Sequence, residues 1–358
     1  MAGTGMLRRL QGRCHAGKED ALQVDIILEP GTPADEVLRL GRLAEAAGIQ
    51  TVWASNFPAR RDPFLTMLPL ARDSQQLRLG IMPLSPFEKQ PVKIADTLLT
   101  FNEMAGGRAS LLMGGLGRSG ASAMGVEPLR RVTATREAVQ IVRAACRQDA
   151  VNFSGELYRA QSYSAPWRCR VPPRIYVAAN GPQMLRMAAS CADGVMFSDA
   201  TLAMLPGILG ELDAALQAAG RQRAELRLNN FFAWHVKRDK AAAIAEARQE
   251  LVWRGVLKRE YIEAFLDEDD VRLVENNWPA FLQAFIKQTP VIEGVPEPIV
   301  EKLIDNLTLT GDESDIDRIV AELQEFAAAG LDEIALRMHR DADEAIALIG
   351  RYVVPALS

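Results

Sequence analysis

The stretch RIYVAANGPQMLRMAASCADG, residues 174–194, changes character twice in a short span. Residues 175–179 (IYVAA) form an apolar run of strand length and composition. Asn180-Gly181-Pro182 breaks that run, and apolar residues then recur at helical spacing through Ala192. Pro182 sits where a first helical residue belongs, because its missing N–H would have no partner there in any case. The spacing therefore predicts a strand, a tight glycine turn and a helix N-terminus. Free backbone N–H groups and the positive end of the helix dipole converge at such a turn, which suits a phosphate. Ala179, Asn180, Gly181, Pro182 and Gln183 are accordingly expected to hold a phosphorylated cofactor; an ordinary βα turn is the plainer alternative.

Working outward, the same strand–helix alternation recurs along the chain. Strands are predicted at 24–28, 50–53, 77–82, 109–113, 175–179, 194–197, 226–236 and 333–337, each followed by a helical segment. Eight such units argue for α/β architecture as a (β/α)8 TIM barrel over 21–358. A doubly wound sheet is the runner-up. The segment 255–306 after strand seven has helical periodicity without strand alternation and is expected to be a helical insertion. Its aromatics, with Trp253, are expected to pack it, and it is placed to cover the barrel mouth. Residues 1–20 are rich in Gly and Arg, lack the apolar centre of a signal peptide, and are expected to be a mobile N-terminal extension.

Composition narrows the function. The 358 residues carry a net charge of -5 with both signs mixed, so no basic surface for nucleic acid stands out. No run approaches the roughly 18 apolar residues of a membrane span. Cys14, Cys146, Cys169 and Cys191 lack CxxC spacing, and with only three His no metal site is expected. Scattered thiols fit a reducing cytoplasm. A small-molecule substrate is the partner class that remains.

Four segments carry a resemblance: LAEAAG (43–48), LGIMPLSPFEKQPVKIADTLLTFNEMAGGRASLLMGG (79–115), AANGPQMLRMAASCADGVMF (178–197) and LTGDESDIDRIVAELQEFAAAGLDEIAL (309–336). In this order and spacing the chain resembles the bacterial-luciferase-like flavin and deazaflavin oxidoreductases, most closely the methylenetetrahydromethanopterin reductase branch. The resemblance implies a barrel that binds coenzyme F420, or alternatively FMN, at the C-terminal ends of its strands, and that commonly forms a homodimer. The Ala-Ala-X-Gly-Pro turn is the form more typical of the F420 branch.

Several site residues follow. Gly114, Gly115, Leu116 and Gly117, at the end of strand four, form a second glycine-rich turn where a ligand can approach the backbone. Met82-Pro83 falls where the F420 branch has a strand-three bulge with a cis peptide; a cis or bulged bond is expected here, with Pro83 and Leu84 near the ring. Departures from the family are as informative. After strand two relatives tend to carry Asp-His, and this chain has Ser55-Asn56; after the strand-four glycines they carry an acid, and this chain has Arg118. Asn56 and Arg118 thus occupy the catalytic positions, although Asn56 cannot transfer a proton at neutral pH. Glu29 at the end of strand one, Glu88 after strand three, Asn230 within strand seven and Arg337 at the end of strand eight are candidates for substrate contact. The main reading is an F420-dependent hydride-transferring oxidoreductase acting on an organic, pterin-type C–N substrate. The rivals are an FMN monooxygenase fed by a separate flavin reductase, a reductase using NADH directly, and a barrel that has lost redox chemistry and serves as a binding protein.

Overall fold

A computed structural model describes residues 21–252 and 254–358. The expectations for residues 1–20, Cys14 and Trp253 fall outside the described residues. Eleven strands are β1 (Gln23–Leu28), β2 (Thr51–Ser55), β3 (Arg78–Leu84), β4 (Ala109–Met113), β5 (Val151–Ser154), β6 (Arg159–Tyr163), β7 (Arg174–Ala178), β8 (Gly194–Ser198), β9 (Arg227–Val236), β10 (Leu309–Gly311) and β11 (Glu333–Arg337). Eight of them pair in parallel in the order β11-β1-β2-β3-β4-β7-β8-β9, and β9 also pairs with β11, so the sheet closes on itself. Closure decides for the (β/α)8 barrel against the doubly wound sheet, which would leave two edges.

The turn at 180–182 takes the form its residues dictate. Gly181 is the extended cap and Pro182 the first residue of the helix Pro182–Cys191. Two elements escape sequence reading. The arm 152–173 holds the antiparallel hairpin β5–β6, too short and polar to show alternation. The short strand β10 extends the sheet on the outer part of β9. The insertion forms the helices Arg259–Ile262, Glu268–Asn276, Trp278–Lys287 and Glu297–Leu307 with an apolar core of its own. Tyr261 and Phe281 are buried in that core, whereas Trp278 is exposed.

Inside the barrel, the period of two sends alternate residues inward. The lower layers mix large and small side chains. Trp53 and Tyr176 meet edge to face at 5.6 Å between ring centres. They fit because Gly80 and Gly194 lack a Cβ: one added at Gly80 would lie 2.0 Å from Cε3 of Trp53, and at Gly194 2.4 Å from Cδ1 of Tyr176. Below them lies a buried polar layer. The Trp53 indole N–H donates to Asp25, the Tyr176 hydroxyl to Glu333, and the Asn229 amide to both carboxylates. Arg227 pairs with Glu333 at the barrel's lower end. Oδ1 of Asp25 and Oδ1 of Asn229 have no protein partner among the described residues. Burial, then the Glu333 charge, pushes the Asp25 carboxyl up to about 7, against the bonds it accepts from Trp53, Thr51 and Asn229.

Two consequences can be measured. Gly80→Ala forces the Trp53 ring off its neighbour and is expected to lower the unfolding free energy by about 3 kcal/mol, the upper range of overpacking, in a urea titration. An unchanged midpoint would show that the layer has slack. The Asp25 carboxyl is raised by folding, so its contribution is full below the ordinary Asp range and is lost as pH climbs toward 7. Asp25→Asn removes that loss, so its stability relative to the parent should rise between about pH 5 and about pH 8. Parallel pH profiles would contradict the assignment.

Candidate active site at the barrel mouth

The inward register that builds the lower layers also builds a cavity floor. Ser55 (β2), Met82 (β3), Gly114 (after β4), Ala178 (β7), Ser198 (β8), Phe231 (β9) and Arg337 (β11) all line a cavity of about 1100 Å³ at the C-terminal mouth. Other residues complete it, among them Phe57, Pro83, Leu84, Glu88, Gly115, Leu116, Gly117, Arg130, Arg131, Gln183, Met184 and Arg254.

Strand β3 makes the cavity's most distinctive wall. Its pairing with β4 shifts between Ile81 and Leu84, a bulge, because Pro83 has no N–H for the ladder. The expected bulge is present; the cis alternative is not, since no cis peptide bond occurs among the described residues. Pro83 is the one exposed residue of β3 and projects into the cavity. Asn56 stabilises the bulge: its backbone N–H donates to the Met82 carbonyl at 2.6 Å and its amide to the Pro83 carbonyl at 3.0 Å. The Gly114 N–H takes the Leu84 carbonyl at 3.0 Å. A Cβ at Gly114 would sit 3.5 Å from Pro83 and 3.7 Å from Ala178, so glycine keeps the floor between them open. Leu116, at φ 61, holds a left-handed backbone that costs a branched side chain of order 1–3 kcal/mol, a strain of the kind that collects at ligand sites.

The opposite wall is the turn after β7. Gly181, Pro182 and Gln183 are exposed, nothing lies within 4 Å of a Cβ built on Gly181, and Gln183 lines the cavity. The first-turn N–H groups of this ten-residue helix have no intrahelical acceptor. Two neighbours expected to share this role are committed elsewhere. The Ala179 N–H donates to the Met196 carbonyl in the barrel ladder. Asn180 donates to the Ser198 carbonyl and the Tyr261 hydroxyl and accepts from the Ser198 N–H, which ties the turn to β8 and to the insertion.

Other expectations need correction. Arg118 opens the helix Arg118–Met124 but is exposed and lies outside the cavity lining, although Gly117 and Ser119 on either side belong to it. Asn230 has the outward parity of β9; it is fully buried and both ends of its amide clamp Ala200. Glu29 does not line the cavity and acts through Arg337, accepting from its guanidinium at 2.9 Å. His339 bonds the same carboxylate at 3.0 Å and stacks on His235 at 5.0 Å. Burial drives the His339 imidazole down to about 4, so it is neutral. Burial alone would raise Glu29, but His339 and Arg337 outweigh it and lower its pKa.

Sequence reasoning missed Arg254, which the insertion delivers to the cavity. It forms a fully buried ion pair with Asp199, itself at φ 55. Burial, then the Arg337 charge, lowers its pKa, against the pull of Tyr261. Nothing in the sequence marks Arg254 for this role. Glu88 and Arg337, both expected at the mouth, do line the cavity. The walls are therefore apolar around Met82, Pro83, Leu116, Met184 and Phe231, with four arginines and one carboxylate among the lining residues. A flat ring with an anionic tail matches that chemistry. No helix among the described residues is long and apolar enough to cross a membrane.

Comparisons with known proteins agree with this architecture. A family model described as luciferase-like monooxygenase matches residues 20–333. A 5,10-methylenetetrahydromethanopterin reductase of Archaeoglobus fulgidus is 27% identical over 323 residues, 88% of this chain and 94% of the relative. An F420-dependent glucose-6-phosphate dehydrogenase of Kineococcus radiotolerans is 30% identical over 211 residues, 55% of this chain and 61% of the relative. Among solved structures, the coenzyme F420-dependent tetrahydromethanopterin reductase of Methanopyrus kandleri superposes with a TM-score of 0.81 at 19% identity, covering 95% of this chain and all 100% of its own. From the closed barrel, the bulged third strand and the extent of the family match, this chain belongs to the luciferase-like monooxygenase family of oxidoreductases.

Proposed function

We propose that this protein is an F420-dependent oxidoreductase that passes a hydride between the deazaflavin and an organic substrate at the barrel mouth. The observation that carries the reading is the pairing of two walls across one cavity: Pro83 exposed on the β3 bulge, and the open Gly181–Gln183 turn at a helix N-terminus. F420 supplies hydride exchange at its ring carbon. Met82, Pro83 and Leu84 would support one face of that ring, and Gly114–Gly117 would let it lie close to the backbone. The N–H groups of Gly181 and Gln183 would face its phosphate, with Arg130 and Arg131 on the same rim. Asn56 keeps the bulge in shape, and Arg337, fixed by Ser55 at 2.8 Å and by Glu29, would orient a polar substrate group.

Two of these relatives, the glucose-6-phosphate dehydrogenase and the tetrahydromethanopterin reductase of known structure, are F420-dependent by name, and this supports F420 over FMN. The substrate class is taken from the Archaeoglobus fulgidus reductase, which matches most of both chains: a pterin-type carbon–nitrogen centre.

Parallel titrations with F420, FMN and NADPH, followed by absorbance and fluorescence, should give saturable binding with F420 and none of comparable strength with FMN or NADPH. Tight FMN binding without an F420 response would favour a monooxygenase fed by a separate reductase. Gly181→Val is expected to leave the melting temperature within about 2 °C, since its φ is -85° and no atom lies near the new Cβ. The same substitution should weaken F420 binding by about tenfold or more, roughly 1.4 kcal/mol. Undiminished affinity would remove the phosphate from this turn.

A further inference from the structure

The residues that relatives use to move protons are absent from the cavity. Its described lining contains no His, Lys, Tyr, Cys or Asp. Four arginines line it, and a guanidinium does not give up its proton in this pH range. Asn56, Ser55, Ser85 and Thr133 cannot do so either. One lining side chain can: Glu88, the only carboxyl among them.

Its position is built. One carboxyl oxygen accepts the Asn56 amide at 3.0 Å, and the other accepts the Ser85 backbone N–H at 2.7 Å. A carboxyl has about four lone-pair sites, so two are held and two are left for a ligand or a proton. The same Asn56 amide that holds Glu88 also holds the Pro83 carbonyl. The carboxyl is thus tied to the bulge on which the ring is proposed to rest. Among the described residues it has no ion-pair partner: Lys89 turns away to Thr97 at 2.6 Å, and Tyr158, packed over the same loop, spends its hydroxyl on the Pro86 carbonyl at 3.2 Å. Burial raises the Glu88 pKa, and the bonds from Ser85 and Asn56 restrain the rise. Burial that favours the protonated form leaves this carboxyl able to hold a proton for general acid–base work.

We infer that Glu88 is the catalytic proton donor and acceptor of this active site, held on the bulge by Asn56 in place of the missing histidine and acid. The inference rests on the proposed hydride-transfer reading. In the reducing direction a hydride from the reduced deazaflavin adds to the carbon of a C=N or C=O bond. The π pair moves to the heteroatom, which takes the proton from the Glu88 O–H. The deazaflavin is oxidised by two electrons, the substrate is reduced, and the carboxylate left behind regains a proton from water at the cavity mouth. In the oxidising direction the Glu88 carboxylate accepts the N–H or O–H proton as the C–H bond gives up its hydride.

Infrared difference spectroscopy tests this without turnover. Wild type minus Glu88→Gln, recorded across pH on the protein alone and with saturating F420, isolates the Glu88 carbonyl stretch. It should titrate above the ordinary Glu range, and its midpoint should move by about one unit when F420 occupies the cavity. Asn56→Asp sets a like charge against the carboxyl and should move the midpoint up by a further unit or so. With reduced F420 and methylenetetrahydromethanopterin, Glu88→Gln should slow hydride transfer about 10²–10⁴-fold. A Glu88 band titrating at or below the usual range, or unmoved by bound F420, overturns the assignment. Absence of any F420 absorbance change overturns the cofactor reading and the assignment with it, whereas normal F420 binding beside an unmoved carboxyl overturns the assignment alone.

Discussion

A proline in the third barrel strand removes one ladder hydrogen bond, and the mouth of the barrel is arranged around that gap. Pro83 cannot donate to its neighbour, so β3 slips against β4 and the residues at the bend turn their carbonyls sideways. Those carbonyls would be left unpaired at the edge of an apolar cavity, and burying an unpaired polar group is costly. Asn56 takes the Met82 carbonyl with its backbone and the Pro83 carbonyl with its side chain. Gly114 takes the next one. The wall that results is rigid where a ring would rest and short of bulk where a ring must fit.

Position along each strand then separates structure from site. Inward residues low in the barrel are filled by aromatics and a hydrogen-bonded polar layer, for which Gly80 and Gly194 leave the room. Inward residues at the strand ends are small, apolar or cationic and leave space. The carboxylates low in the barrel are spent on Trp53, Tyr176 and Asn229. The one carboxyl that reaches the cavity comes from the loop after β3.

Much of this was legible in the sequence, for physical reasons. Buried parallel strands read as apolar runs, glycine and proline punctuate their ends, and Gly181-Pro182 specifies a helix start with little ambiguity. The bulge at Met82-Pro83 was expected from the family resemblance, and its physical cause is that proline cannot donate to the ladder. What could not be read was direction. Asn230 within β9 and Arg337 at the end of β11 are both polar strand residues, yet one faces outward to Ala200 and the other faces the cavity, a distinction set by register with a neighbouring strand. Asn180 was expected to contact a ligand and instead ties β8 and the insertion together. Arg254 lies far along the chain in irregular sequence, so only the fold brings it to Asp199 and the cavity.

Amide hydrogen exchange with and without F420 tests the central claim most directly, because it reports which backbone groups the cofactor covers. The account predicts slowed exchange on F420 binding at Gly115–Gly117 and at the first-turn amides Gln183 and Met184, on the two facing walls of one cavity. Protection confined to any other surface of the barrel, or no change at either wall with F420 bound, would contradict it.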